Sequence, residues 1–77
     1  MAENKDEIIE EFKKALENCS LYEGLDDQKY LLNKIGEMHG MATVMEKIGI
    51  GVETLDDFIF DKYLHFMELQ SDILYAD

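Results

Sequence analysis

The chain has 77 residues and carries 18 acidic side chains against 7 basic ones, all of them lysine, for a formal net charge of −11 at pH 7. This length suits one domain, and the excess of acid argues against binding to nucleic acid or anionic membranes, because both require clustered lysine or arginine. The single cysteine, Cys19, excludes an internal disulfide and suits a reducing compartment.

The first predicted helix runs from about Asn4 to Ser20. Asn4, with Glu7 three residues later, has the pattern of a capping box in which asparagine replaces serine or threonine. Gly24 is placed to end the segment. Apolar residues recur at helical spacing and predict one buried face, formed by Ile8, Ile9, Phe12, Ala15, Leu16 and Cys19.

The second predicted segment begins near Asp26, its expected N-cap, and extends to about Ile48. Gly36 and Gly40 lie opposite its apolar face, and each costs about 1 kcal/mol relative to alanine in a helix. The glycines either divide the segment into two shorter helices, which we favour, or allow another backbone to approach closely. The predicted inward face consists of Tyr30, Leu31, Ile35, Met38, Met41, Ala42, Met45 and Ile48.

The third predicted helix follows a turn at residues 49–51. Thr54 is its predicted N-cap, with Asp57 at the N3 position, and the helix runs to about Tyr75. Its apolar residues cover well over half of the circumference, which is typical of a helix buried on two sides. We therefore predict an all-α, compact bundle of three or four helices over residues 1–77 that forms a homodimer through this helix. The predicted dimer interface consists of Phe58, Ile59, Tyr63, Phe66 and Met67.

Acidic residues dominate the rest of the third helix. They recur every three or four residues and therefore project from one side. Like charges four residues apart destabilise an isolated helix by roughly 0.2–0.5 kcal/mol per pair, so their retention favours a binding role. The alternative is a solvated face that keeps the protein soluble. The predicted partner-binding surface consists of Glu53, Asp56, Asp57, Asp61, Glu68 and Asp72.

Two other groups of side chains bear on chemistry. Asp61, His65 and Glu68 share one helix face but lack convincing further ligands, so we predict neither a metal nor a cofactor. Cys19 falls on the apolar face of the first helix, where a thiol acts as a small hydrophobe, and no oxyanion donor is evident. We therefore expect a protein that is not an enzyme.

Residues 42–58, ATVMEKIGIGVETLDDF, resemble a helix-turn-helix, with a glycine at the turn and Thr54 opening the second helix. The residues that fall where the motif places its core are Val44, Ile48, Ile50, Leu55 and Phe58. Met45 stands where the motif usually has a small residue. The second helix would present acidic residues to phosphates, so the resemblance does not imply DNA binding. These residues are Glu53, Asp56, Asp57 and Asp61.

The start of the chain and its apolar runs bear on location. Residues 1–7, MAENKDE, lack the apolar stretch of a secretory signal, and no apolar run approaches the length of a membrane span. We therefore expect a cytoplasmic protein without membrane association.

The leading hypothesis is a non-enzymatic interaction protein whose acidic face binds a basic surface on a protein partner. Its most specific form is an inhibitor that mimics nucleic acid and competes with it, as anti-restriction and anti-CRISPR proteins of phages do; this step is an analogy from size and charge. The alternative is a small dimeric regulator or assembly subunit with a helix-turn-helix-like core. That protein would bind its partner through apolar surface.

Overall fold

The computed structural model describes residues 4–76. Over this range the chain forms three α-helices and one short 3-10 turn, with no strand, so the prediction of an all-α bundle is confirmed. None of the helices in this range combines the length and the hydropathy needed to cross a membrane. The elements are α1, Lys5–Gly24; α2, Gln28–Lys47; the 3-10 turn, Val52–Thr54; and α3, Asp57–Leu74.

The ends of α1 are set by local hydrogen bonds. The Asn4 side chain accepts a hydrogen bond from the backbone N–H of Asp6 at 2.9 Å, which confirms Asn4 as the N-cap. The helix continues through Gly24, so the predicted end near Ser20 is too early. Asp26, and not Gly24, adopts the left-handed conformation that ends the helix, with φ of 57°.

The second helix is continuous through Gly36 and Gly40, so the predicted division into two helices is wrong. Its N-cap is Asp27 instead of Asp26, and the Asp27 carboxylate accepts from the Tyr30 N–H at 3.2 Å. Apart from the backbone of α2 itself, a Cβ atom at either glycine would meet no atom within 4 Å, so no other element of the described chain approaches them. Packing of the opposite, buried face outweighs the low helix propensity of the two glycines.

The third helix begins later than the sequence pattern predicts. The Thr54 hydroxyl donates to the Gly51 carbonyl at 2.7 Å inside the 3-10 turn, so it does not cap α3. The cap is Asp56, whose carboxylate accepts from the N–H groups of Phe58 and Ile59 at 2.7 and 3.4 Å. The negative charge of an aspartate at this position also interacts favourably with the positive end of the helix dipole.

The core lies mainly between α1 and α2, which form an antiparallel hairpin joined by residues 25–27. Helix α3 packs against this hairpin and contributes Phe66 as its one fully buried residue among those described. Tyr30, predicted inward, is instead half exposed and stacks on Tyr22 with ring centroids 5.9 Å apart. The buried residues are Ile8, Phe12, Leu16, Cys19, Leu31, Ile35, Met38, Ala42, Met45, Val52 and Phe66.

Candidate functional site

The acidic face of α3 lies on the outside of the bundle. Asp57, Asp61, Glu68 and Asp72, which we call the acidic face, recur at helical spacing and are all exposed. Burial of Phe66 against the hairpin turns the opposite side of α3 towards solvent, and the acidic residues occupy that side.

The two other predicted partner-binding residues precede α3 and are also exposed. Asp56 is occupied as the helix cap, so its carboxylate already accepts two backbone hydrogen bonds. Glu53 lies in the 3-10 turn, and its carboxylate folds over Gly51, in the space that a side chain at position 51 would take. Asp56 therefore has a local structural role in addition to its charge.

The acidic face is not neutralised by the rest of the described chain. The lysine salt bridges in residues 4–76 are Lys13–Glu10 and Lys34–Glu37, and neither involves a member of the face. Lys62, the single lysine of α3, lies over the Phe58 ring with its Nζ 5.3 Å from the centroid. The face therefore presents a row of carboxylates to solvent.

His65 connects α3 to the end of α1. Its Nε2 atom lies 2.9 Å from the Glu23 Oε2 atom. The ring is therefore engaged away from Asp61 and Glu68, the two residues that share its helix face. The part of the chain that the structure describes holds no group of three histidine, cysteine, aspartate or glutamate residues placed to bind one metal ion.

The residues predicted to form a dimer interface divide between the core and the surface. Phe66 is 1% exposed and belongs to the core of its own chain, so it offers no contact area to a second copy. The Tyr63 ring packs against that of Phe12, with centroids 5.9 Å apart, and Ile59 and Met67 are partly buried against the same core. Phe58, in contrast, is 66% exposed. The apolar surface of α3 that remains open consists of Phe58 together with Leu64 and Leu74.

The thiol of Cys19 is fully buried in the α1–α2 core. Burial, followed by the negative charge of Glu37, raises its pKa to about 11. Since the thiolate is the nucleophilic form, the thiol is unreactive near neutral pH. Cys19 is therefore a packing residue.

The helix-turn-helix resemblance does not correspond to the geometry of residues 42–58. The motif joins two helices through a turn of three or four residues. Here residues 48–56 separate α2 from α3 and include the 3-10 turn, and Val44, assigned to the core of the motif, is 44% exposed. Gly49 and Gly51 therefore belong to a longer connection between α2 and α3.

A cavity between α2, the 3-10 turn and α3 was not predicted from the sequence. Its volume is about 130 Å³, and it combines aromatic rings with carboxylates. Burial, followed by the negative charge of Glu46, raises the pKa of Tyr63, one of its lining residues. No periodicity could indicate the site, because its residues come from three elements. They are His39, Ala42, Thr43, Glu46, Gly51, Val52, Glu53, Phe60 and Tyr63.

Comparisons with protein-family models, curated proteins and solved structures found no match. The function is therefore inferred from the residues and their geometry.

Proposed function

We propose that the protein is a small non-enzymatic interaction module whose acidic face binds a basic surface on a protein partner. The observation that supports this is the row of four exposed carboxylates on α3, none of which has a cationic partner within the described chain. A cationic partner would lower the repulsion that these residues exert on one another along the helix. It would also be attracted from a distance by the net charge of −11.

The most specific form of the proposal is an inhibitor that competes with nucleic acid. Asp57 to Asp72 spans about 22 Å of helix, over which one DNA strand places about six phosphates against the four carboxylates of the face. Glu53 and Asp56 extend the negative surface at the start of α3. The protein would act in the cytoplasm, where a lone cysteine stays reduced.

Charge reversal on the acidic face tests the proposal. The variant Asp61→Lys/Glu68→Lys should lose partner capture in a lysate pull-down while keeping or slightly raising its helicity, because each lysine gains an acidic neighbour four residues away. Glu11→Lys/Glu17→Lys is the matched control, since it makes the same change in net charge at exposed positions of α1. Capture by the wild type should also weaken between low and physiological salt.

Two results would contradict the proposal. One is capture that survives reversal of Asp61 and Glu68. The other is equal loss with the α1 control, which would mean that net charge alone, and not this face, attracts the partner. Circular dichroism of all three proteins verifies that they are folded.

The second candidate is a dimeric regulator or assembly subunit that uses apolar surface. Phe58, Leu64 and Leu74, which are 66%, 47% and 58% exposed, would supply apolar contact area for it. In this case sedimentation equilibrium at micromolar concentration should give twice the chain mass, and Phe58→Ser should give the monomer mass without unfolding. A wild-type monomer would rule out the homodimer.

A further inference from the structure

The cavity between α2, the 3-10 turn and α3 has the size of a side-chain pocket. Its volume of about 130 Å³ is well below the roughly 300–1,000 Å³ of sites that hold metabolites or cofactors. It is close to that of an engineered cavity of about 150 Å³ that accepts benzene. A single side chain, or a free molecule of similar size, would therefore fill it.

The lining of the cavity favours a cation. Phe60 and Tyr63 supply aromatic rings, whose faces attract cations. Glu46 and Glu53 supply two carboxylates, and neither takes part in a salt bridge in residues 4–76. The buried residues Ala42 and Val52 complete an apolar part of the wall, against which methylene groups can pack.

The position of the Glu53 carboxylate depends on Gly51. The backbone of Gly51 has φ of −81° and ψ of 146°, an extended conformation that any residue adopts. Glycine is therefore not needed here for its conformational freedom. Its lack of a side chain instead leaves the space in which the Glu53 carboxylate lies, at the edge of the cavity.

We propose that this cavity receives the protonated side chain of a lysine or arginine from a basic partner. Phe60 and Tyr63 would contact its methylenes and its cationic head, and Glu46 and Glu53 would be its counter-ions. Such a buried anchor, surrounded by weaker contacts, is how binding energy is usually concentrated in a protein interface. The inference rests on the proposed function, which supplies the basic partner, and names one residue class that the partner must present.

Binding of capped amino acids, followed by amide NMR, tests the inference without the partner. The probes are Nα-acetyl-lysine methylamide and Nα-acetyl-arginine methylamide, with the norleucine analogue as the uncharged control. We expect one or both cationic probes to give saturable shifts at the amides of Thr43, Glu46, Gly51 and Glu53. The norleucine probe should give none, because it lacks the charge.

Three variants locate the binding. Glu46→Gln/Glu53→Gln should weaken it at least about tenfold, because two charge-assisted contacts are lost. Glu11→Gln/Glu17→Gln removes the same charge from α1 and should leave the affinity within about twofold, because exposed distant charges are screened. Gly51→Ala should weaken binding with no change in charge, because the new methyl group displaces the Glu53 carboxylate.

The absence of saturable shifts with both cationic probes would overturn the inference. An equal loss of probe affinity in the cavity and α1 double variants would also overturn it, because net charge alone would then explain the binding. The proposed function can fail independently of this inference. If the probes bind the cavity but Asp61→Lys/Glu68→Lys still captures the partner, the acidic face is not the binding surface. If the probes do not bind and that variant loses capture, the proposed function stands and the cavity has no part in it.

Discussion

The α1–α2 hairpin and helix α3 differ in how completely they bury their apolar side chains. In the hairpin, nine apolar side chains are buried along the facing sides and most polar ones lie outside, although some apolar residues such as Tyr30 are exposed. Helix α3 is richer in apolar residues, yet only Phe66 is fully buried, while Phe58, Leu64 and Leu74 remain open to solvent. The same helix carries the acidic face. Most of the fully buried residues therefore lie in the hairpin, whereas α3 combines the acidic face with exposed apolar side chains.

This difference also predicts unequal local stability. An element held by few buried contacts opens at lower free energy than the rest of a domain. Helix α3 has one fully buried residue, Phe66, and a set of partly buried ones that pack against the core. The contact of Tyr63 with Phe12 and the hydrogen bond between His65 and Glu23 add to these. A partner that covers α3 would stabilise the part of the fold that the hairpin secures least.

The largest expected effects come from truncating the core. Phe12→Ala and Phe66→Ala should each lower the free energy of unfolding by about 3–5 kcal/mol, because both rings are almost fully buried. A chain of this length has a total stability of about 4–12 kcal/mol. Phe58→Ala, at an exposed site of the same helix as Phe66, should change it by less than about 0.5 kcal/mol. Urea unfolding followed by circular dichroism measures all three.

The comparison between Phe66 and Phe58 tests whether the Phe66 ring attaches α3 to the hairpin. If Phe66→Ala costs no more than Phe58→Ala, α3 is not attached to the hairpin through the Phe66 ring. If Phe66→Ala removes only part of the helical signal, the hairpin folds without α3.

Alkaline pH should weaken the hairpin through Cys19. The fold raises its pKa from 9.0 to about 11. The contribution of the protonated thiol to the free energy of unfolding is therefore complete below pH 9 and is lost as pH rises from 9 to 11. The unfolded thiol loses its proton in that range while the folded one keeps it. At about 1.4 kcal/mol per pH unit, the loss is roughly 2–3 kcal/mol. Tyr63 on α3 should also lower the free energy of unfolding above its ordinary pKa of 10.0, because the fold raises the pKa of this residue as well.

Urea unfolding across this pH range measures the decline, and Cys19→Ala is the control. This variant should start less stable but decline less between pH 9 and 11, because the titrating thiol is gone. A decline equal to that of the wild type would assign the effect to the accumulating negative charge instead.

Replacing the helix glycines should strengthen the hairpin. Gly36→Ala and Gly40→Ala should each raise the free energy of unfolding by about 0.5–1 kcal/mol, because both sites are exposed within α2 and a Cβ atom meets nothing within 4 Å. Thermal unfolding of the single and double variants measures the gain. A loss of stability would show that another chain approaches α2 closely at these positions.

Zinc should produce the smallest effect. His65 on α3 is engaged with Glu23, and Asp61 and Glu68 have no further ligand brought to them in the described part of the chain. Stoichiometric zinc should therefore leave the Tm unchanged. An increase in Tm that disappears in His65→Ala would show that these three residues bind the metal.

Periodicity and local hydrogen-bonding chemistry are properties of short segments, and they were sufficient for much of the fold. The apolar spacing of residues 8–19 and 31–45 predicted the facing sides of the hairpin, and Asn4 was correctly identified as a cap. The spacing of Asp57, Asp61, Glu68 and Asp72 placed them on one face, because side chains four residues apart on a helix project together.

Tertiary packing decided the rest, because it depends on contacts between residues far apart in the chain. Burial of one face of α2 keeps that helix continuous across Gly36 and Gly40 against their low propensity. The docking of α3 placed Phe66 in the core and Phe58 in solvent, although both belong to the same broad apolar arc. The cavity exists only where three elements meet, so its aromatic and acidic lining could be found only once their packing was known.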